Sequence, residues 1–255
     1  MIQVLSPTQV EAARPAGRFV GRTLATLRER VRPGTNLLDI DAWARELIAR
    51  EGADSCYVDY APSFGRGPFG KVICTSVNDA VLHGLPRDYS LRDGDLLTLD
   101  FAVGVDGWVA DAAVSFVVGE RIDPVDQELI DLTRRALAAG IVQARPGRRV
   151  GDISHAIGAV LTRAGHRVNT EFGGHGVGST MHQDPHVPNN GRPGRGLKLK
   201  PGMLLAIEPW IMADTDRLVM DPDGWTLRSA TGCRTAHTEH TVAITRDGPV
   251  ILTEP

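Results

Sequence analysis

The stretch LLTLDFAVGVDGWVADAAVSFVVG, residues 96–119, decides the fold, because it has the pattern of two strands joined by a tight turn. The pair Asp106-Gly107 suits a two-residue hairpin loop, in which both central residues take positive φ. Apolar and β-branched residues continue on both sides of the pair, as they do in strands. We therefore predict an antiparallel hairpin with its tip at this pair.

The hairpin register brings two acidic side chains to one face of the sheet. Asp100 then lies opposite Ala113, and Asp111 lies opposite Ala102 in a neighbouring pair. Side chains alternate in direction with period two, so both carboxylates leave the same face, about 7–8 Å apart at the backbone. They converge on small residues and repel each other unless a cation lies between them. The pair therefore predicts a divalent-metal site, and two solvated aspartates on an exposed face are the alternative.

The composition excludes several classes of protein. The 255 residues suffice for one large domain or two small ones, and 42% are hydrophobic, enough for a sizeable core. A net charge of −3 predicts no nucleic-acid surface, and no apolar run approaches the roughly 20 residues of a membrane span. The start lacks a basic region followed by an apolar stretch, so we expect no signal peptide. Cys56, Cys74 and Cys233 have no CxxC spacing, which predicts free thiols and a cytoplasmic protein.

Four helices are predicted, in two pairs. Ser6 and Pro7 open the first helix, in which Pro15 suggests a kink or a later start. The helices occupy about residues 7–31, 37–51 and 124–144, and a fourth ends at Gly165. Besides the hairpin, strands are predicted at residues 71–76, 168–172, 203–211, 225–228 and 238–245. Helices followed by strands with hairpin connections indicate an α+β fold.

The second half of the chain repeats the first at a constant offset of 113 residues. Segments RPGTNLLDIDAWARELIAREG (32–52) and RPGRRVGDISHAIGAVLTRAG (145–165) share RPG, an Asp-Ile pair and a closing glycine. Two copies are too few for a solenoid. We therefore predict a duplicated unit, in which a helix pair followed by antiparallel strands occurs twice. The alternative is a chance likeness between two amphipathic helices. The halves would cover about 1–119 and 120–255 of a single catalytic domain, with a site between them.

Three further segments add candidate metal ligands. His175 lies in the glycine-rich segment 173–178, and His182 follows seven residues later. Glu208 is predicted near the end of an apolar strand, where a carboxylate is costly unless it is paired or bound to metal. Glu239 is predicted in the middle of an alternating strand. Each has an ordinary explanation, namely a hydrogen-bonded buried histidine, a glutamate at a strand end and a glutamate facing water.

Together with the hairpin aspartates, these residues form a set that fits two divalent ions. Four carboxylates supply four negative charges, which two divalent cations balance. A histidine among oxygen ligands suits Co, Mn, Fe or Zn rather than Ca, and the sequence leaves the choice among those four open.

The candidate ligands follow one another in an order that resembles a known family. The order is Asp100, Asp111, His175, Glu208, Glu239. The matching motifs are SVNDAVLHGLP (76–86), GGHGVGSTMHQDP (173–185), IEP (207–209), DGWT (223–226) and TEHTVAIT (238–245). They resemble the dinuclear-metal pita-bread aminopeptidases, and type I methionine aminopeptidases most. The resemblance implies a duplicated pita-bread fold, with antiparallel sheets covered by two pseudo-symmetric helix pairs.

The resemblance also implies a reaction and a metal arrangement. The enzyme would remove the initiator methionine from nascent polypeptides at the ribosome, as a monomer. Asp100, Glu208 and His175 would favour one ion, while Asp111 and Glu239 would bridge the ions or hold the other. A metal-activated hydroxide would attack the peptide, because metal lowers the pKa of bound water.

Roles beyond metal binding are implied for a second group of residues. Glu208 would carry a proton towards the leaving amine. His83 and His182 would contact the substrate and help to stabilise the tetrahedral intermediate. The residues that would line the methionine pocket are Cys74, Met181 and Trp225, beside the two histidines.

The chain departs from the family pattern at several places. Ala102 and Ala112 stand where threonines are common, which removes two hydroxyls near the ligands. The family's tyrosine-rich GYxGYP stretch is rewritten in residues 57–70, so no tyrosine position transfers to the pocket. Met181 stands where phenylalanine is frequent, and His237 where glutamine is. We therefore expect a less selective methionine pocket.

Two alternatives remain open. One is an aminopeptidase of altered, Xaa-Pro-like specificity, although the chain has about the size of the catalytic domain alone, which argues against an ordinary prolidase. The other is a non-catalytic pita-bread module that binds peptides. Such modules typically lose metal ligands, whereas all five candidates are present in this sequence.

Overall fold

The computed structural model describes residues 2–63 and 65–255, so Met1 and Phe64, the latter in the rewritten stretch, lie outside the described residues. Its helices are α1 (Pro7–Arg30), α2 (Leu37–Glu51), α3 (Pro124–Gln143) and α4 (Val150–Arg163). Its strands are β1 (Asp54–Ser55), β2 (Cys74–Val77), β3 (Ala80–Leu82), β4 (Leu96–Val105), β5 (Trp108–Val117), β6 (Gly173–Val177), β7 (Gln183–Pro188), β8 (Leu204–Ile207), β9 (Trp210–Met212), β10 (Leu218–Met220), β11 (Leu227–Ser229), β12 (Thr235–His237), β13 (His240–Thr245) and β14 (Gly248–Ile251). Within the described ranges, no helix combines the length and apolar character that crossing a membrane requires. All three cysteines are free thiols, as predicted.

All four predicted helices are present, and local capping explains their ends. The Ser6 hydroxyl accepts from the amide of Gln9, whose side chain accepts from the Ser6 amide in return. Helix α2 ends at Gly52, whose φ of 71° lies in the left-handed region. Pro15 lies inside α1, which runs through it from Pro7, so the expectation of a later start is wrong.

The hairpin of β4 and β5 has the predicted register. Its tip residues Asp106 and Gly107 have φ of 51° and 80°. Asp111 lies opposite Ala102, as a two-residue loop requires. Strand β4 is central in its sheet, with β5 on one edge and β1 and β2 sharing the other. Asp100 of β4 and Asp111 of β5 therefore leave the same face of a well-paired hairpin.

The predicted strand at 168–172 is absent, and β6 begins at Gly173 instead. Asn169 explains the difference. Its Oδ1 accepts from the Glu171 amide at 2.7 Å, and its Nδ2 donates to the Asp216 carbonyl at 2.8 Å. Such side-chain bonds to the backbone form a local turn that competes with strand pairing.

Two predicted strands are interrupted next to the candidate ligands. The strand around Glu208 divides into β8 and β9, because Pro209 has no amide to donate to the ladder. The strand around Glu239 begins only at His240, so the prediction that Glu239 lies in mid-strand is wrong. Glu239 instead forms an isolated bridge with Ala113 of β5. This bridge joins the hairpin to the second half of the chain.

Two other predicted strands are present with shifted bounds. Strand β2 starts after Val72, whose amide donates to Asp41 of α2 at 2.8 Å. Strand β11 starts late because the amides of Trp225 and Thr226 both donate to Oδ1 of Asp223 at 2.8 Å. The strands without a sequence prediction are β1, β3, β7, β10, β12 and β14.

The two halves repeat each other in space as well as in sequence. The amide of Gly34 donates to the Leu91 carbonyl at 2.7 Å, and that of Gly147 donates to the Leu199 carbonyl at 3.1 Å. Helices α1 and α2 pack with β4 and β5 around one core, while α3 and α4 pack with second-half strands around another. Those strands form a sheet in the order β14-β13-β8-β6-β7. The predicted α+β fold with two pseudo-symmetric helix pairs is therefore confirmed.

Candidate active site

One cavity brings together every residue that the sequence predicted for the site. They are Cys74, His83, Asp100, Asp111, His175, Met181, His182, Glu208, Trp225 and Glu239. Four residues that were not predicted also line it, namely Tyr57, Tyr60, Phe69 and Leu82. The cavity draws on both halves of the chain.

The two hairpin aspartates are held by neighbouring hydroxyls. The Tyr57 hydroxyl donates to Oδ1 of Asp100 at 2.6 Å and lies 3.4 Å from Oδ1 of Asp111. Thr241 in β13 fixes the backbone of Asp111, because its Oγ1 accepts from the amide at 2.9 Å and donates to the carbonyl at 2.8 Å. The second-half sheet thus helps to place a first-half carboxylate.

The glycines around His175 let three backbones pack closely. A Cβ at Gly174 would overlap the carbonyl oxygen of Ala206 in β8, and one at Gly176 would overlap that of Asp184 at β7. Nδ1 of His175 lies 3.0 Å from the Gly176 carbonyl oxygen. The tautomer that donates this bond keeps its lone pair on Nε2, the nitrogen nearer the carboxylates.

The imidazole of His175 lies between carboxylates from both halves. Its Nε2 is 3.9 Å from Oδ2 of Asp111 and 3.8 Å from Oε1 of Glu208. Asp111, His175 and Glu239 form a group of possible ligands, with one ligand atom from each within 4.8 Å of the others. The sequence-based prediction grouped His175 with Asp100 and Glu208 instead.

His237 lies between the two glutamates. Its Nε2 is 3.9 Å from Oε2 of Glu208 and 3.9 Å from Oε2 of Glu239. This nitrogen is buried and has no hydrogen-bond partner among the described residues. The Ser115 hydroxyl holds the backbone, accepting from the His237 amide at 2.9 Å and donating to its carbonyl at 2.7 Å.

The electrostatics of the cluster fit divalent cations. Burial raises the pKa of Asp100 to about 6. Burial and the neighbouring carboxylates hold the pKa values of Asp111, Glu208 and Glu239 well above their usual range. Burial also lowers the pKa of His175 to about 3, so its imidazole is neutral near pH 7, as a metal ligand must be. Asp111 and Glu239 are buried and Asp100 and Glu208 are partly buried, and the described residues of the cavity supply no positive partner. Such a set of carboxylates is costly, and divalent ions would remove that cost.

The two histidines predicted to contact substrate are neutral as well. Burial lowers the pKa of His83 to about 4 and that of His182 to about 4. The His182 ring lies edge-on to that of His175, with ring centroids 4.3 Å apart. His83 has a φ of 55°, a backbone conformation that is uncommon outside glycine. Neutral imidazoles near pH 7 can donate a hydrogen bond without adding charge.

The wall of the cavity is aromatic, although the family's tyrosine stretch is rewritten. The Phe69 ring stands edge-on to Trp225 at 5.1 Å between centroids, and Tyr60 lies 6.3 Å from Trp225. Tyr60 also lies 5.3 Å from the His182 ring. Tyr57 and Tyr60 of the rewritten stretch therefore line the cavity, although the family's tyrosine pattern does not transfer to this stretch.

The sequence pattern missed Tyr57 as a residue of the site and did not assign His237 a role. Tyr57 carried no signal, because its hydroxyl reaches Asp100 only after the loop folds back onto β4. His237 carried a weak signal, since it precedes Glu239 by two residues and therefore leaves the same face of an extended chain.

The sequence pattern that defines metallopeptidase family M24 matches residues 11–246 of the chain. The chain therefore belongs to this family of metal-dependent hydrolases.

Several relatives carry a more particular name. The protein called methionine aminopeptidase in Aquifex aeolicus (strain VF5) is 38% identical, covering 99% of this chain and 99% of its own length. That of Clostridium perfringens (strain 13 / Type A) is 42% identical, with 99% of each chain covered. The crystal structure of methionine aminopeptidase from Thermotoga maritima matches with a TM-score of 0.94 at 36% identity, over 100% of both chains. The resemblance to type I methionine aminopeptidases and the pita-bread fold are therefore confirmed.

Proposed function

We propose that the chain is a cytoplasmic metallo-aminopeptidase that hydrolyses the bond after an N-terminal methionine in nascent polypeptides. One observation carries this proposal most directly. Five side chains suited to divalent metal and a wall of aromatic side chains line the same cavity. The relatives named methionine aminopeptidase match 99% of the chain and support the same activity.

Two divalent ions fit the carboxylate cluster by charge. Asp111, His175 and Glu239 would hold one ion, because one ligand atom from each lies within 4.8 Å of the others. Asp100 would hold the other beside Asp111, and Glu208 would complete the set next to His175. When bound, such ions supply Lewis acidity that activates water and polarises the peptide carbonyl.

The chain's own groups would handle protons and charge. Glu208 has a raised pKa, so it can accept a proton from water and give it to the leaving amine. His182 and His83 would donate hydrogen bonds to the substrate as neutral imidazoles. The aromatic wall of Tyr60, Phe69 and Trp225 would bury the thioether side chain, and its desolvation favours binding.

A panel of tripeptides Xaa-Ala-Ser tests the proposal, with Met, Leu, norleucine, Ala and Val at Xaa and Mn²⁺ or Co²⁺ added. We expect Met to be cleaved fastest, with measurable cleavage of norleucine and Leu, because methionine at position 181 packs adaptably. Each methylene contributes only about 1–3 kcal/mol of discrimination. Cleavage of Met alone would show a strict pocket and contradict the expected loss of selectivity.

Two further outcomes separate the alternatives. Preferential cleavage of Xaa-Pro peptides over Met-Ala-Ser would favour the enzyme of altered specificity. Two bound ions without cleavage of any peptide would favour the peptide-binding module.

We infer a single domain over residues 1–255 that acts as a monomer on chains emerging from the ribosome. The shared cavity and the bridge between Ala113 and Glu239 support one unit. Light scattering would measure the molar mass in solution and so test the monomeric state. Cosedimentation with translating ribosomes would test binding of the protein to the ribosome.

A further inference from the structure

The catalytic scheme leaves the Tyr57 hydroxyl without a role, although it lies against two of the candidate ligands. Tyr57 is buried, and its hydroxyl donates to Oδ1 of Asp100 at 2.6 Å. The hydroxyl oxygen of Tyr57 also lies 3.4 Å from Oδ1 of Asp111. A single hydroxyl therefore faces both hairpin aspartates.

The contact selects which oxygen of each carboxylate remains available. Tyr57 faces the Oδ1 atoms of both aspartates, while Oδ2 of Asp111 lies 3.9 Å from Nε2 of His175. A carboxylate held through one oxygen presents the other in a defined direction. Hydrogen bonds of this kind orient metal ligands and strengthen metal binding.

The backbone holds the Tyr57 loop against β4 at the same place. Ser55 of β1 pairs with Val103 of β4, and the Cys56 amide donates to the Ala102 carbonyl at 3.3 Å. The Tyr57 amide then donates to the Ser55 hydroxyl at 3.2 Å. Pairing of β1 with β4 and these loop hydrogen bonds therefore place the Tyr57 phenol next to the aspartates.

Among residues 2–63 and 65–255, Tyr57 supplies the hydroxyl that donates to these two carboxylates. Ala102 and Ala112, next to the two aspartates in the strands, have none. Thr241 bonds only the backbone of Asp111. Cys74 of β2 lies directly opposite Asp100, but a thiol is a weak donor.

We propose that Tyr57 is a positioning residue that orients the carboxylates of Asp100 and Asp111 for metal, in place of hydroxyls that the strands lack. This inference rests on the proposed metal centre and adds a determinant of its affinity. Tyr57 acts through the carboxylates and does not donate to the substrate.

The test compares the Mn²⁺ affinity of the full chain with that of two variants by calorimetry. Tyr57→Phe keeps the ring against Phe69, with centroids 5.6 Å apart, and removes only the hydroxyl. Tyr89→Phe is the matched control, because its hydroxyl donates to Asp95 at 2.8 Å, outside the cavity. We expect Tyr57→Phe to weaken Mn²⁺ binding about ten- to a hundredfold. Tyr89→Phe should leave the affinity unchanged.

Turnover at saturating metal separates positioning from catalysis. We expect Tyr57→Phe to need more Mn²⁺ for half-maximal activity but to regain most of its kcat at saturation. A low kcat at saturating Mn²⁺ with unchanged affinity would show direct action on the substrate and overturn the inference. A purely structural role would lower the thermal midpoint of the metal-free protein and leave the affinity unchanged, which would overturn it as well.

A second measurement covers the case in which Tyr57→Phe does not fold. The wild type labelled with 3-fluorotyrosine has three tyrosines, and Tyr60→Phe and Tyr89→Phe identify two of the resonances. Addition of Zn²⁺ should shift the Tyr57 resonance, and an unchanged resonance would count against the inference. If the wild type binds no metal, the proposed function itself fails; if it binds metal and Tyr57→Phe matches it, only this inference fails.

Discussion

Every ionisable group in the cluster has a pKa displaced towards its neutral form. Burial raises the pKa of Asp100 to about 6 and lowers those of His175 and His237 to about 3. A desolvated charge needs a partner, and the described side chains that line the cavity include no lysine or arginine. At the scale of single residues, the site is therefore organised to receive positive charge from outside the chain.

The first prediction concerns the pH dependence of metal binding. Carboxyl groups with raised pKa values hold protons in the metal-free protein, and metal must displace them. Mn²⁺ affinity should therefore increase as pH rises through about 6, the pKa of Asp100, and binding should release protons. Calorimetric titrations at several pH values measure the Mn²⁺ affinity, and repeating them in buffers of different protonation enthalpy measures the number of protons released. Affinity independent of pH, without proton release, would contradict the displaced pKa values.

The second prediction concerns the ligands themselves. Asp111→Asn and His175→Ala each remove a ligand but little buried apolar area, so the chain should fold while hydrolysis is lost. Asp106→Asn and His155→Ala are matched controls, at the hairpin tip and on the exposed face of α4. Circular dichroism, metal content and Met-Ala-Ser hydrolysis are the measurements. Near-normal turnover of either ligand variant with added metal would rule out its assignment.

The third prediction separates His182 from the ligands. His182 lies beside His175 in the cavity and is a predicted donor to the substrate. His182→Ala should reduce turnover by about two to three orders of magnitude, as the loss of one stabilising donor does. Metal content should remain that of the wild type. Loss of bound metal in this variant would make His182 a ligand instead.

At the scale of elements, the sequence pattern correctly predicted the features that depend on neighbouring residues alone. The hairpin register follows from Asp106-Gly107 and alternation, and the helix ends follow from caps such as Ser6 and Gly52. The pattern failed where distant groups compete for the backbone, as Asn169 does with Asp216. It also missed Tyr57, because pairing of β1 with β4 depends on residues far apart in sequence.

The fourth prediction tests the close packing of β6. Gly176→Ala would place a Cβ against the Asp184 carbonyl, so β7 must move away from His175. We expect a loss of about 1–3 kcal/mol of stability, as overpacking typically costs, together with weaker metal binding. Gly104→Ala is the control in β4, because its Cβ would meet its nearest neighbour at an ordinary 3.9 Å. Chemical denaturation and metal titration should show Gly104→Ala near wild type. Equal effects of both variants would show that close approach of backbones is not the cause.

At the scale of the whole molecule, the candidate ligands come from both halves of the chain. Asp100 and Asp111 belong to the first-half hairpin, whereas His175, Glu208 and Glu239 belong to the second half. Each half has its own core around its own helix pair. Metal bound at this centre would therefore link two cores that the bridge between Ala113 and Glu239 already joins.

The fifth prediction follows from that link. A ligand that binds only the folded state stabilises it by about 2.7 kcal/mol at a hundredfold excess over its dissociation constant. For a chain of this size, about 1 kcal/mol shifts the thermal midpoint by roughly 2–4 °C. Removing metal with a chelator should therefore lower the midpoint by about 5–10 °C per ion lost at that excess.

The number of thermal unfolding transitions tests whether the chain unfolds as a single domain. If metal links both cores in one cooperative unit, calorimetry should show one transition that moves as a whole when metal is added or removed. Asp111→Asn should show the low midpoint with or without Mn²⁺, because it lacks one of the carboxylates that would hold the ions, whereas Asp106→Asn should respond as the wild type does. Two transitions, of which only one responds to metal, would mean that one half holds the ions alone. The centre would then not depend on the meeting of the two halves.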